Sequence, residues 1–234
     1  RIERLPQLRR IVRGGLAARG SVGAGLATKA GGAAVVPWYR AGGAPTPYFV
    51  YQPKGAVDLA SSYINLALPG TRNAAEGVAP TFASATGWTF NGLTQWLETN
   101  VASNVIKAIV CQFSSATGGY GLFGASLGGI GLIATPNWSG LATYLNGTPL
   151  QTKSPQFSSG SIAIAGASAY RNGIDEGVTL PNNNTTTRTL AIGATKFASA
   201  SNFNACVILA IAAWDTSTNH ATWMPAVCAA VAAL

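Results

Sequence analysis

From residue 48 onward the chain alternates short apolar runs with clusters of turn residues, a pattern of strands rather than of helices. Residues 48–51, 63–68, 88–90, 107–113, 129–134, 161–167, 187–194 and 206–214 each have strand length and strand composition, which predicts eight or more strands. Asn91-Gly92, Asn146-Gly147 and Asn172-Gly173 lie among them. Asn-Gly supplies the positive φ angles that tight hairpins demand, so antiparallel pairing is expected. No long amphipathic helices separate the runs, which argues against a parallel α/β sheet. The one helix expected in the body is at its end, where Trp223, Val227, Ala230, Val231 and Leu234 fall on one helical stripe, with Thr222 placed to cap it and Pro225 in its first turn.

The first 45 residues read differently. Leu5, Leu8, Ile11 and Val12 recur at helical spacing among arginines and predict a short amphipathic helix. Residues 14–43 are then dominated by Gly and Ala, too poor in large apolar groups to build a core. The expected organisation is a basic arm over residues 1–45 and one all-β domain over residues 46–234. Charge follows the same division. Eight of the fifteen basic side chains fall within residues 1–40, against a single acid, Glu3. The arm's Arg4, Arg9, Arg10, Arg13 and Arg19 are therefore its candidate partner-binding residues. A basic arm can hold nucleic acid by counterion release, but it fits an acidic groove on a neighbouring subunit equally well; another protein subunit is the expected partner and nucleic acid is not.

Composition narrows the classes further. Charged residues make up only 9% of the chain, against about 25% in an average globular protein, so its solubility rests on Ser, Thr, Asn and Gly. No apolar stretch reaches the ~18–20 residues that span a bilayer, and no retained signal peptide is read at the start, so neither a membrane nor a leader is expected. Three widely spaced cysteines, Cys111, Cys206 and Cys228, form no C-x-x-C pattern and are expected to be buried free thiols, with a bridge between Cys111 and Cys206 as the alternative.

Several segments, in order, resemble the concanavalin A-like, laminin G-like family, in particular versions found in bacteriophage structural proteins. Gly87-Trp88-Thr89-Phe90-Asn91-Gly92 followed by Gln95-Trp96-Leu97 resembles its opening strand. Ile162-Ala163-Ile164-Ala165 leading to Tyr170-Arg171-Asn172-Gly173 resembles its hairpin, and Leu190-Ala191-Ile192-Gly193-Ala194 with residues 207–214 and a closing helix resembles its last strands and tail. Tyr51-Gln52-Pro53-Lys54-Gly55-Ala56 and Gly77-Val78-Ala79-Pro80 resemble the segment that precedes this domain in phage-derived proteins. The resemblance implies an antiparallel jelly-roll β-sandwich. Calcium is not carried over: Asn91 and Asn172 stand where the family has turn aspartates, and seven acids in 234 residues are too few for a carboxylate-rich site. No cofactor or metal is expected.

Catalytic patterns are sparse. Gly124-Ala125-Ser126-Leu127-Gly128 matches a nucleophile elbow, with Asp175 or Asp215 and His220 following in hydrolase order. The elbow needs a strand-to-helix turn in a parallel sheet, whereas residues 118–131 are a glycine-rich stretch among β runs. A glycosidase needs two carboxylates flanking the scissile bond, and Asp175 and Glu176 are sequence neighbours that point apart in a strand. Of six tryptophans, Trp88, Trp214 and Trp223 are assigned to the core, and Trp138, in Pro136-Asn137-Trp138-Ser139, is the exposed candidate for stacking on a sugar. The expected protein is a non-enzymatic virion component, a capsid decoration or tail-associated subunit. It would assemble through its arm with itself or with other virion subunits; the alternative is a carbohydrate-binding adhesion module for a cell-surface glycan.

Overall fold

A computed structural model describes residues 36–153 and 155–234. The chain begins there with a short 3-10 segment, Trp38–Gly43, followed by β1 (Phe49–Tyr51), the helical turn α1 (Leu59–Ser62), β2 (Ala75–Val78), β3 (Thr81–Ala83), β4 (Gly87–Asn91) and β5 (Trp96–Ala102). A 3-10 turn, Ser103–Val105, leads into β6 (Ala108–Ser114), β7 (Phe123–Leu127), β8 (Ile130–Trp138), β9 (Leu141–Gly147), β10 (Gln151–Lys153) and β11 (Gly160–Ala165). The rest is β12 (Ser168–Arg171), β13 (Ile174–Thr179), β14 (Thr189–Ile192), β15 (Thr195–Lys196), β16 (Ala200–Ser201), β17 (Ala205–Trp214) and helix α2 (His220–Ala232).

Among the described residues these strands make two sheets packed as a sandwich. Sheet A runs β13-β12-β11-β6-β17-β4-β3, with β1 also on β17, and sheet B runs β10-β9-β8-β7-β14-β5-β2, with β15 and β16 beside it. All pairings are antiparallel except a single parallel bridge, Lys196 to Ala125, between β15 and β7. The expected jelly-roll sandwich with a closing helix is the fold observed.

Period-two alternation explains why sheet A is buried on both sides. Its inward residues, including Phe49, Tyr51, Trp88, Phe90, Ile109, Phe113, Ile162, Ile164, Ile208 and Ile211, join Leu97, Phe123, Leu132, Tyr144, Leu190 and Ile192 of sheet B in the main core. Its outward residues are mostly small: Ala108, Ala163, Ala165, Ala210 and Ala212. Over them lies α2, which buries Trp223, Met224, Val227, Cys228 and Val231. Trp38 and Ala44, which composition places in the arm, are buried in the same layer, and the Trp214 indole donates to the Pro45 carbonyl at 2.9 Å.

Three local expectations are corrected. Residues 63–68 form no strand. Asn65 is fully buried there, its Oδ1 accepting from Val50 N at 2.9 Å and Ala67 N at 3.0 Å and its amide donating to Thr71 O at 3.0 Å, so a side chain organises a loop where backbone pairing was expected. Asn91-Gly92 is not a hairpin but an arch from sheet A to sheet B, in which Asn91 Oδ1 accepts from the backbone of Leu93, Thr94 and Gln95. Helix α2 starts before Thr222, with Asn219 at its N-cap, and Pro225 lies in its interior. The strands of residues 75–78, 96–102, 123–127 and 141–147 also go beyond the apolar runs read from sequence. By contrast, Asn172 (φ 51°) and Gly173 (φ 79°) form the expected two-residue hairpin, with Arg171 opposite Ile174. The helix read around Leu5 to Val12, and with it Arg4, Arg9, Arg10, Arg13 and Arg19, lies outside the described residues.

Candidate functional site

The loops joining β6 to β7, β8 to β9 and β10 to β11 meet at one end of the sandwich. Ala116, Thr117, Asn137, Gln156, Phe157 and Ser158 line an open cleft of about 380 Å³ there. Backbone hydrogen bonds stitch the three loops together: Ala116 N to Ser158 O (2.9 Å), Phe157 N to Pro136 O (3.2 Å) and Gln156 N to Gly140 O (3.1 Å). Asn204, fully buried at the start of β17, donates its amide to the carbonyls of Gly118 (3.3 Å) and Tyr120, which fixes the floor of the first loop.

One arginine holds the aromatic wall. Arg171 Nε lies 2.8 Å from Glu176 Oε1 and its Nη2 donates to Glu176 Oε2 at 2.9 Å, a two-pronged pairing of two largely buried side chains. Its remaining Nη1 donates to Pro155 O at 2.8 Å, and its guanidinium lies over the Phe157 ring, 4.6 Å from the centroid. Phe113 backs the same ring at 5.4 Å. The planar guanidinium is thus tied to the scaffold through the Glu176 carboxylate and the Pro155 carbonyl. Close by, burial pushes the Tyr144 phenol up from its ordinary value, with Glu176 adding to the rise and Arg171 opposing it.

Trp138, singled out from sequence, is 42% exposed and directly follows the cleft residue Asn137 at the end of β8. Trp88, Trp214 and Trp223 are buried. Phe157 and Gln156 were missed: they sit in a segment without periodicity, and only the packing of Arg171 on the ring reveals them.

A second cleft, of about 440 Å³, opens toward the other end of sheet B, between the close of β7 and the start of β14, lined by Leu127, Thr187, Arg188, Thr189 and Lys196. The Lys196 ammonium pairs with the Glu98 carboxylate and donates to Thr189 Oγ1 at 2.7 Å.

The hydrolase pattern does not assemble. Ser126 lies within β7, its hydroxyl donating to Ile130 O at 3.2 Å, and Gly128 and Gly129 turn the chain back into β8 instead of into a helix. His220 begins α2, on the outer side of sheet A, with Nδ1 2.7 Å from Ser217 O and its ring edge-on to Tyr170. Asp175 accepts from Gly177 N at 2.8 Å in β13, and its neighbour Glu176 is committed to Arg171. The three thiols are free and buried, and burial pushes Cys228 up to about 11. Among the described residues no three His, Cys, Asp or Glu side chains gather as a metal site, and no helix is long and apolar enough to cross a membrane.

No protein-family model matches the chain, and no curated protein matches its sequence. Solved structures do. The chain is similar to Trypanosoma rangeli sialidase in complex with sialic acid (TM-score 0.56, 14% identity, 80% of this chain and 34% of that one). It is similar also to a mutant of that sialidase displaying trans-sialidase activity (TM-score 0.55, 11% identity, 80% of this chain and 33% of that one). The third is domain 4 of AbnA, a GH43 extracellular arabinanase from Geobacillus stearothermophilus, in complex with arabinotriose (TM-score 0.55, 11% identity, 80% of this chain and 98% of that one). The likeness is one of fold. The chain spans about a third of the sialidase's length but nearly all of the arabinanase domain.

Proposed function

We propose that the sandwich is a non-enzymatic carbohydrate-binding module whose ligand occupies the end cleft. The observation that carries this reading is the Phe157 ring set among Asn137, Gln156, Thr117 and Ser158 on loops held by the Arg171–Glu176 pair. A pyranose or furanose presents an apolar face and a ring of hydroxyls, and an aromatic wall edged with amides and hydroxyls matches both. Trp138, exposed and next to Asn137 in β8, does not line the cleft and is taken as a separate aromatic contact. The likeness to an arabinanase domain holding arabinotriose adds fold-level support.

Arabinotriose and a panel of neutral oligosaccharides, titrated calorimetrically against the full chain, test the reading. Binding should fall at least tenfold in Phe157→Ala and in Trp138→Ala, with folding unchanged by near-ultraviolet circular dichroism. Neutral sugars that bind both variants as tightly as the parent would remove the end cleft as the site.

A second reading, assembly into a virion through the arm, is favoured by the concentration of arginine and lysine before residue 41. None of the solved structures just described is a virion component. Light scattering of the full chain beside a form lacking residues 1–35 tests it: an oligomer that becomes a monomer supports assembly, and equal masses oppose it.

A further inference from the structure

We infer that the second cleft, on sheet B, is a separate subsite for an oxyanion carried on a saccharide, with Arg188 as its principal anchor. The argument is one of unmatched charge. Lys196 is already paired with Glu98 and bound to Thr189 Oγ1. Arg188 has no acidic partner among the described residues, where the ion pairs are Arg171–Glu176 and Lys196–Glu98. Its Nε, like that of Arg171, is buried and makes no hydrogen bond among the described residues. A guanidinium that lines a cleft without a carboxylate beside it can offer its donors to a carboxylate or a sulfate ester, either of which can take two parallel N–H donors.

The surroundings fit a sugar rather than a bare ion. Thr187 and Thr189 place hydroxyls on either side of Arg188, and Leu127, 53% exposed, supplies an apolar wall. Lys196, held by Glu98, adds an ammonium donor to the same lining without adding net charge. The end cleft has no such charge, because its arginine is consumed by Glu176 and Pro155. The two clefts therefore select different ligands. The inference rests on the saccharide reading only for the nature of the carrier; the anion preference comes from Arg188.

Calorimetric titration of the full chain with galacturonic acid trisaccharide, a sulfated trisaccharide and neutral galactotriose, at low and moderate salt, tests it. At least one of the two acidic sugars should bind tenfold or more tighter than the neutral one, and which of them does so distinguishes carboxylate from sulfate. The preference should shrink with salt. Arg188→Gln should remove the preference and Arg188→Lys, which keeps the charge but loses the fork, should retain part of it; binding of neutral sugars should be untouched by either. Equal binding of acidic and neutral sugars, no binding of the acidic ones, or an acidic preference that survives Arg188→Gln would overturn the subsite. Acidic sugars that bind through Arg188 while neutral ones bind nowhere would sink the end-cleft reading and leave this one standing.

Discussion

Two arginines, Arg171 packed on the Phe157 ring of the end cleft and Arg188 in the lining of the second cleft, are used in opposite ways. Arg171 has a carboxylate partner: Glu176 lies against two of its nitrogens, Pro155 O accepts from a third, and Phe157 lies against its face. Arg188 lines its cleft with no acidic partner among the described residues. The first is part of the scaffold and shapes a neutral, aromatic cavity. The second is held in readiness for something from outside. Exposure alone would not separate them, since both are intermediate in burial; the inventory of partners does.

The largest effect should come from breaking the scaffold. Arg171→Ala strips the partner from a largely buried carboxylate, and we expect a loss of about 3 kcal/mol in urea unfolding, as for other buried pairs cut on one side. It should also abolish binding at the end cleft, because Phe157 loses its support. A loss below about 0.5 kcal/mol, the range of ordinary surface substitutions, would show that the pair is not structural. Glu176→Gln should cost less, about 1–2 kcal/mol, since hydrogen bonding survives in part while the charge does not. Arg188→Gln should leave the unfolding midpoint within about 0.5 kcal/mol of the parent. A cost as large as that of Arg171→Ala would make the two arginines alike and erase the contrast.

The smallest effect is in alkali. Burial raises the Tyr144 phenol in the folded state above its ordinary value of 10. Its contribution is fully present below that value and is lost as pH rises toward the raised one, because the unfolded chain ionises first. Stability should therefore decline above about pH 10, where an unperturbed tyrosine ionises, and Tyr144→Phe should flatten part of the decline. An identical pH profile for parent and variant would mean that Tyr144 is not protected by its burial in the core.

How much of this could be read from the chain follows from what periodicity reports. Residues 206–214 are apolar on both faces because β17 has the main core on one side and α2 on the other, so the run is conspicuous. Residues 96–102, Trp-Leu-Glu-Thr-Asn-Val-Ala, bury only alternate positions and carry a charge and an amide on the other face, so β5 was missed. Asn172-Gly173 specified its hairpin because the turn is local. Asn91-Gly92 did not, because whether a tight turn closes a hairpin or arches between sheets depends on a partner strand, β17, that lies more than a hundred residues later. The exposed tryptophan was legible from Pro136 and Asn137 beside it. Arg171 meeting Glu176, Phe157 and the loop at Pro155 was not, since the contacts to Phe157 and Pro155 bridge loops that only the folded sheets bring together.

The placement of β17 also governs when the molecule can exist at all. It runs down the middle of sheet A with β6 on one flank and β4 and β1 on the other, so the earliest strand of the described body and its latest are hydrogen-bonded neighbours, Phe49 against Ala213. During synthesis that sheet has no centre until residue 214 clears the ribosome, and everything made before then must wait with an open seam between β6 and β4. Such long-range closure is slow and exposes apolar strand edges meanwhile. Nascent chains halted before β17 should be captured by holdase chaperones, and emergence of residues 205–232, which hold β17 and α2, should convert them abruptly to a protease-resistant state.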